Sequence, residues 1–406
     1  MGSAVAAVTA CAERIAAREA DVQAWVDWDP ELALAEARER DAEPARGPLH
    51  GLPVGVKDLI DTGDRPTQHG SPIFAGHRPA ADAACVAALR AAGAVVLGKT
   101  TTTEFAAYEP SPTTNPHHPG HTPGGSSSGS AAAVADGMVP VALGTQTAGS
   151  VVRPAAFCGV FGFKPTFGLV DRRGVGAQAP SLDTVGWFAR SADDLALLLD
   201  VLAPDLAGDP PPARRVAVMH TPHDDEASAD VHAALAAARA PLAGLEVTDT
   251  RWPAAFEGLT AAQMDVQARE AALVLGPLRE QHSALMSASL LALLEEGDAV
   301  APSAYAAALA RAREAWAAIP EAFGGADALL VPAVTDEAPR GLSSTGDPLF
   351  CRAWTLLGVP AVAVPAGRGA HGLPIGVQLV GRPGADRALI GLAGRLHAAL
   401  APDEPG

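Results

Sequence analysis

The sequence predicts an α/β protein with a largely covered sheet, and three observations carry that prediction. Short apolar runs of strand character alternate with Ala-rich segments of helical spacing through the first half of the chain. Strand-like runs return near the end, at residues 328–332, 359–365 and 374–381. Aromatic residues make up only 4% of the chain while Ala is abundant, which suits helices packed through small side chains. A length of 406 residues allows two or three domains. Because the last strands continue the pattern of the first, we expect one wrapped domain instead.

The elements follow in order. Residues 4–42 are rich in Ala, Glu and Arg at helical spacing and predict two helices within an N-terminal region of 1–45. A core of 50–200 follows. In it GLPVGVKDLI (51–60) reads as a strand entering a turn, with Lys57 where the strand ends. DAACVAALRAA (82–92) predicts a helix and 94–97 a short buried strand. A Pro/His-rich loop spans 110–123. The Ala-rich run after Ser130 predicts a helix, 139–144 a strand and 193–202 a further helix. Residues 203–215 read as a linker, and 203–325 as a mostly helical excursion before the chain returns to the sheet over 326–400.

Composition excludes several classes. A net charge of −17 argues against a broad nucleic-acid footprint, which needs a basic face. No stretch resembles a membrane span of about twenty apolar residues. The first twenty residues lack a basic segment ahead of their apolar part, so they do not read as a signal peptide. Cys11, Cys85, Cys158 and Cys351 lie far apart and form no paired motif, which fits reduced thiols in a cytoplasmic protein.

Three motifs match a pattern and fail its context. GAVVLGKT (93–100) fits the phosphate-loop spacing, but its inner residues look like the strand itself rather than a loop. GSSSG (125–129) fits a nucleophile elbow at Ser127, but a loop, not a strand, precedes it. His117, His118 and His121 are dense, yet their spacing is not that of a zinc site, and we expect no metal and no cofactor.

What survives is a spaced set: Lys57 in GVKD, Ser126 in GGSSSGS and Ser150 in TAGS. A serine hydroxyl is a weak nucleophile and needs a base. Lysine serves as that base only if burial or its neighbours keep it neutral. The apolar run ahead of Lys57 suits burial, and a second serine could relay the proton. Taken singly, each of these residues reads better as a salt-bridged surface lysine or a turn-making serine.

Taken together, the motifs resemble the amidase signature family. The resemblance rests on GVKD (55–58), GKT (98–100), the stretch from Asn115 to Gly168 that contains PGGSSSGSAAAVADG and TQTAGS, the D-x-L-L-x-P pattern at 327–332, GVPAVAVPAG (358–367) and GLPIGVQLVG (372–381). The length, TQTAGSVVRP and STGDPLFCRAWTLLGVP (344–360) look most like the short malonamidase-type members. The resemblance implies a single domain with a central mixed, twisted sheet covered by helices on both sides. It implies a Ser-cisSer-Lys triad, with Ser150 as nucleophile, Ser126 as the bridging serine after a cis peptide bond, and Lys57 as base. It also implies an oxyanion hole from the N–H groups of Thr147, Ala148, Gly149 and Ser150, supported by Ser127 and Thr145. The chain departs from the family's usual Asp-Thr-Gly-Gly-Ser by having Gln146-Thr147-Ala148-Gly149-Ser150, and its arginine falls at 153 behind Val152. That guanidinium could bind a substrate carboxylate or pin the loop to an acidic neighbour.

The expected activity is hydrolysis of a linear amide C–N bond in a small polar or carboxylate-bearing substrate. The alternative is the A subunit of a tRNA-dependent amidotransferase, for which the length and acidity are unfavourable. Members of the family often dimerise, which makes a homodimer the assembly to test. Gln178, Asp183 and Trp354 read equally as pocket or packing residues.

Overall fold

The computed structural model describes residues 2–206, 208, 212–239 and 245–400. Among these residues eleven strands join in one mixed sheet. They are β1 (Trp25–Trp28), β2 (Pro53–Lys57), β3 (Val95–Thr100), β4 (Val141–Gln146), β5 (Phe161–Lys164), β6 (Thr184–Ala189), β7 (Arg215–His220), β8 (Glu246–Arg251), β9 (Ala328–Pro332), β10 (Ala361–Arg368) and β11 (Pro374–Gly381). Their order across the sheet is β1-β3-β2-β4-β6-β5-β10-β11-β9-β7-β8. Every residue of β2, β3, β4, β6 and β11 is buried. Since successive side chains point to opposite faces, helices must cover the sheet on both sides.

The centre of the sheet fixes where the site forms. β2 runs parallel to β3 on one side and β4 on the other. The C-terminal ends of β2 and β4 therefore open at the same edge, and Lys57 ends one while Thr145 and Gln146 end the other. The strand over 93–100 removes the phosphate-loop alternative, because Val95–Thr100 is sheet and not loop. Lys99 is fully buried there and holds the turn after β2 through Ile60 O (2.7 Å) and Asp58 (3.5 Å).

The Ala-rich run forms a helix over Ser128–Ala135. Small side chains let it lie close to the strands: Ser130 Oγ donates to Leu143 O (2.8 Å) and shares a hydrogen bond with Thr100 Oγ1 (2.7 Å). Gly129 faces backbone. A Cβ there would sit 2.2 Å from Ala24 O and 2.5 Å from Thr101 N.

The far edge of the sheet differs from expectation. The segment 203–325 contains β7 and β8, which pair in parallel and extend the sheet beyond β9. β8 (EVTDTR) is polar and half exposed, so it carries no apolar run to betray a strand. The short β1 and β5 likewise leave too few residues to show a period. Elsewhere in that segment the chain is helical, chiefly Leu259–His282, Ala288–Ala299 and Pro302–Ala317. Part of the expected linker, at 207 and 209–211, lies outside the described residues. No described helix is long and apolar enough to cross a membrane.

Gly129→Ala should lower stability by about 1–3 kcal/mol, because the clash is with backbone that cannot swing aside. Thermal or denaturant unfolding of the variant beside the wild type checks this; an unchanged midpoint would contradict the close approach.

Candidate active site

Lys57 is fully buried at the end of β2. Its Nζ lies 2.7 Å from Ser126 Oγ and 2.7 Å from Thr145 Oγ1. Burial holds its pKa well below the ordinary lysine value, and the charge of Asp183 offsets this only in part. A lysine stripped of water and met by hydroxyls is driven toward the neutral amine.

Ser126 follows a cis Gly125–Ser126 peptide bond. The loop is fastened on both sides. Behind it, Ser127 Oγ donates to Thr145 O (3.2 Å) and accepts from Thr145 N (3.3 Å). That approach requires Gly144, where a Cβ would fall 2.8 Å from Ser127 Oγ. In front, Arg153 Nη2 donates to Gly125 O (2.6 Å) and to Thr345 Oγ1 (3.1 Å), and Nη1 donates to Gly346 O (2.8 Å). The guanidinium is thus spent on backbone carbonyls and a hydroxyl, and no acidic neighbour takes it among the described residues. Ser127 has no exposure at all, and no strand precedes it, so it has neither the setting nor the access of an elbow nucleophile.

Ser150 closes the turn that leaves β4, just ahead of the helix Val152–Cys158. It is the most open of the three candidates, at 7% exposure against 2% for Ser126 and 0% for Lys57. The turn is held from several directions. Gln146 Oε1 accepts from Val151 N (2.9 Å) and Val152 N (3.0 Å), so one amide oxygen organises the helix start where the family usually has a carboxylate. Gln146 Nε2 donates to Thr355 Oγ1 (2.9 Å), which donates to Ala148 O (2.6 Å). Thr147 Oγ1 donates to Asp183 Oδ1 (2.6 Å), and Gln263 Nε2 donates to Thr147 O (3.0 Å). Gly149 presses on the helix Leu349–Leu356; a Cβ would lie 2.8 Å from Pro348 and 3.1 Å from Cys351. The N–H groups of Thr147, Ala148, Gly149 and Ser150 donate to no protein acceptor among the described residues.

The structure therefore joins Lys57, Ser126, Ser127 and Thr145 in one hydrogen-bonded cluster. Ser150 is linked to it through β4 and through Arg153, which reaches the carbonyl just before Ser126. No motif in the sequence singles out Gln263, which donates to the turn, or Gln267 and Arg352, which bond Gln263; all three come from helices far away in the chain. Asp183 belongs to the turn, while Trp354 packs against Phe256 and Trp252 in the core. The histidines serve the loop: His117 Nε2 meets Cys158 O (2.9 Å), His121 Nδ1 meets Ala338 O (2.8 Å), and His118 Nδ1 accepts from Gly120 N (3.0 Å). Among the described residues no group of His, Cys, Asp and Glu is placed to hold a metal.

A buried amine bonded to a serine hydroxyl at the edge of a mixed α/β sheet is a setting in which lysine can act as a base. The family model described as Amidase matches residues 6–390, and the chain belongs to this amidase signature family of amide C–N hydrolases. A Mycobacterium tuberculosis protein whose name, AmiD, marks it as a candidate amidase is 36% identical over 401 residues, covering 87% of this chain and 82% of that protein. A glutamyl-tRNA(Gln) amidotransferase component from Chloroflexus aggregans, its A subunit, is 45% identical over 213 residues, covering 50% of this chain and only 43% of that relative's length. A solved amidase structure superposes with a TM-score of 0.90 at 30% identity, covering 98% of this chain and 96% of the other.

Asp183 supplies a pH test of the turn. Burial raises its carboxyl from 3.8 to about 6, against the hydrogen bonds from Thr147, Gln178 N and Ala179 N. A raised acid stabilises the fold most when protonated, and that contribution fades as pH rises through about 6. Relative to Asp183→Asn, wild-type unfolding free energy should fall by up to about 3 kcal/mol between pH 4 and pH 7. Denaturant unfolding across that range checks it; a difference that does not vary with pH would contradict a buried, raised carboxyl.

Proposed function

We propose that the protein hydrolyses a linear amide C–N bond in a small polar or carboxylate-bearing substrate, through Ser150, Ser126 and Lys57. The observation that carries this reading is the fully buried Lys57, whose Nζ meets two hydroxyls and no carboxylate. The other two fully buried lysines differ: Lys99 pairs with Asp58 and Lys164 donates to Pro165 O, and neither meets a serine hydroxyl as Lys57 meets that of Ser126.

The Lys57–Ser126 hydrogen bond supports the first link of the relay, and the link from Ser126 to Ser150 is part of the proposal. Neutral Lys57 takes the proton of Ser126, which takes the proton of Ser150 as Ser150 Oγ attacks the amide carbonyl. The unpartnered N–H groups from Thr147 to Ser150 are suited to hold the oxyanion of the tetrahedral intermediate. Collapse breaks the C–N bond, and the relay returns the proton to the leaving amine or ammonia. Water then attacks the acyl-Ser150 ester by the same relay and releases the acid. Ser127, Thr145 and Arg153 position the loop and the base, and Arg153 acts on Gly125 rather than on substrate.

A second reading, transfer of ammonia within an amidotransferase complex, is favoured by the likeness to the amidotransferase component. Turnover of simple amides by the isolated chain, with no glutamine, tRNA or partner added, supports the hydrolase; activity only with those additions supports the transferase.

Ser150→Ala should reduce kcat on a hydrolysed amide by about 10⁴-fold or more, while Ser127→Ala keeps much of it. Lys57→Met should be comparably inactive yet melt within about 3 °C of the wild type at pH 7, because it removes a buried group that must shed its proton to fold. Activity retained in Ser150→Ala, or a collapse of stability in Lys57→Met, would contradict the assignment.

A further inference from the structure

Arg352 sits on the helix Leu349–Leu356, next to the Cys351 that packs on Gly149. It is only 6% exposed. Its Nη1 donates to Gln263 Oε1 (2.6 Å) and, at longer range, to Gln267 Oε1 (3.4 Å). Gln263 Nε2 in turn donates to Thr147 O, so Arg352 stands two hydrogen bonds from the turn that carries Ser150.

The surroundings lack a counter-charge. No salt bridge among the described residues includes Arg352, whereas arginines rarely go this deep without a partner. Asp183 is taken by Thr147 and the Gln178 and Ala179 N–H groups; Glu270 accepts from Tyr305 Oη (2.7 Å) and Ser181 N (2.8 Å). Asp347 is exposed, and Arg153 is a second buried cation whose Nη1 and Nη2 donate to carbonyls and to Thr345 Oγ1. Nε and Nη2 of Arg352 meet no protein acceptor among the described residues, and unlike Arg153 Nε they are not sealed orphan atoms. The two glutamines thus orient one amine of the fork and leave its Nε–Nη2 edge unused. That edge matches a carboxylate side-on, with two parallel N–H···O bonds.

We propose that Arg352 binds a free carboxylate on the substrate and sets a preference for carboxylate-bearing amides over their uncharged counterparts. The proposal rests on the amide-hydrolase reading of the same site and adds the group that selects its substrate. Gln263 and Gln267 are positioning residues: they fix the fork, and Gln263 ties it to the Ser150 turn. Arg153, for which the sequence leaves a carboxylate clamp and a loop pin both open, spends its Nη1 and Nη2 on the loop.

Malonamate, succinamate and glutaramate, each beside its uncharged diamide, provide the probes. Binding to Ser150→Ala protein, measured by calorimetry, should favour at least one acid over its diamide by about 30-fold or more. Arg352→Met in that background should erase the preference, and Arg352→Lys should restore part of it. In the active enzyme, Arg352→Met should lower kcat/KM on the preferred acid by a similar factor and change the diamide less than about threefold. Retained diamide hydrolysis also shows that the variant folds. An acid preference that survives Arg352→Met, equal losses on acid and diamide, or no binding of any acid overturns the proposal. Arg352-dependent acid binding without hydrolysis of any probe would leave this site standing and overturn the hydrolase reading instead.

Discussion

The desolvation of Lys57 is the constraint on which the rest of the site depends. At the end of a strand buried on both faces, the amine is shut off from bulk solvent and bonds no carboxylate, and the charge of Asp183 offsets its burial only in part. Two hydroxyls are its nearest partners, and one belongs to a serine that can give up a proton. The same lysine on an exposed edge would be an ammonium and useless as a base. The parallel arrangement of β2 and β4 is what brings it beside Thr145, at the strand end from which the Ser150 turn departs.

Around that amine the fold uses small residues and neutral donors to fix geometry. Gly144 makes room for Ser127, and Ser127 bonds both the N–H and the carbonyl of Thr145. Gln146 organises the turn and the following helix with a single side chain. Arg153 fastens the carbonyl before Ser126 to the segment 345–346. These contacts add no net negative charge beside Lys57. Asp183 is the one acid that weighs on it, and burial raises that carboxyl to about 6.

Much of this was legible in the sequence, for a physical reason. Ser126 and Ser150 lie in short segments dense in Gly and Ser, and Lys57 ends an apolar run, so their order and spacing carry meaning. The central strands were readable as apolar runs, since burial on both faces leaves no polar positions. β8 was not, because an edge strand with one wet face looks like any polar segment. The tasks of Arg153 and Arg352 were hidden for a different reason. An arginine's role depends on what its fork meets, and here the partners are carbonyls and glutamines 28 to 193 and 85 to 89 residues away. No local pattern records such contacts.

The central claim is that a neutral Lys57 arms Ser150 through Ser126. A serine-directed fluorophosphonate, followed by peptide mass spectrometry, tests it most directly. The account predicts a single adduct on Ser150 in the wild type, and labelling slowed at least about 100-fold in Lys57→Met. An adduct on Ser127, or equal labelling of Ser150 without the lysine, would contradict it.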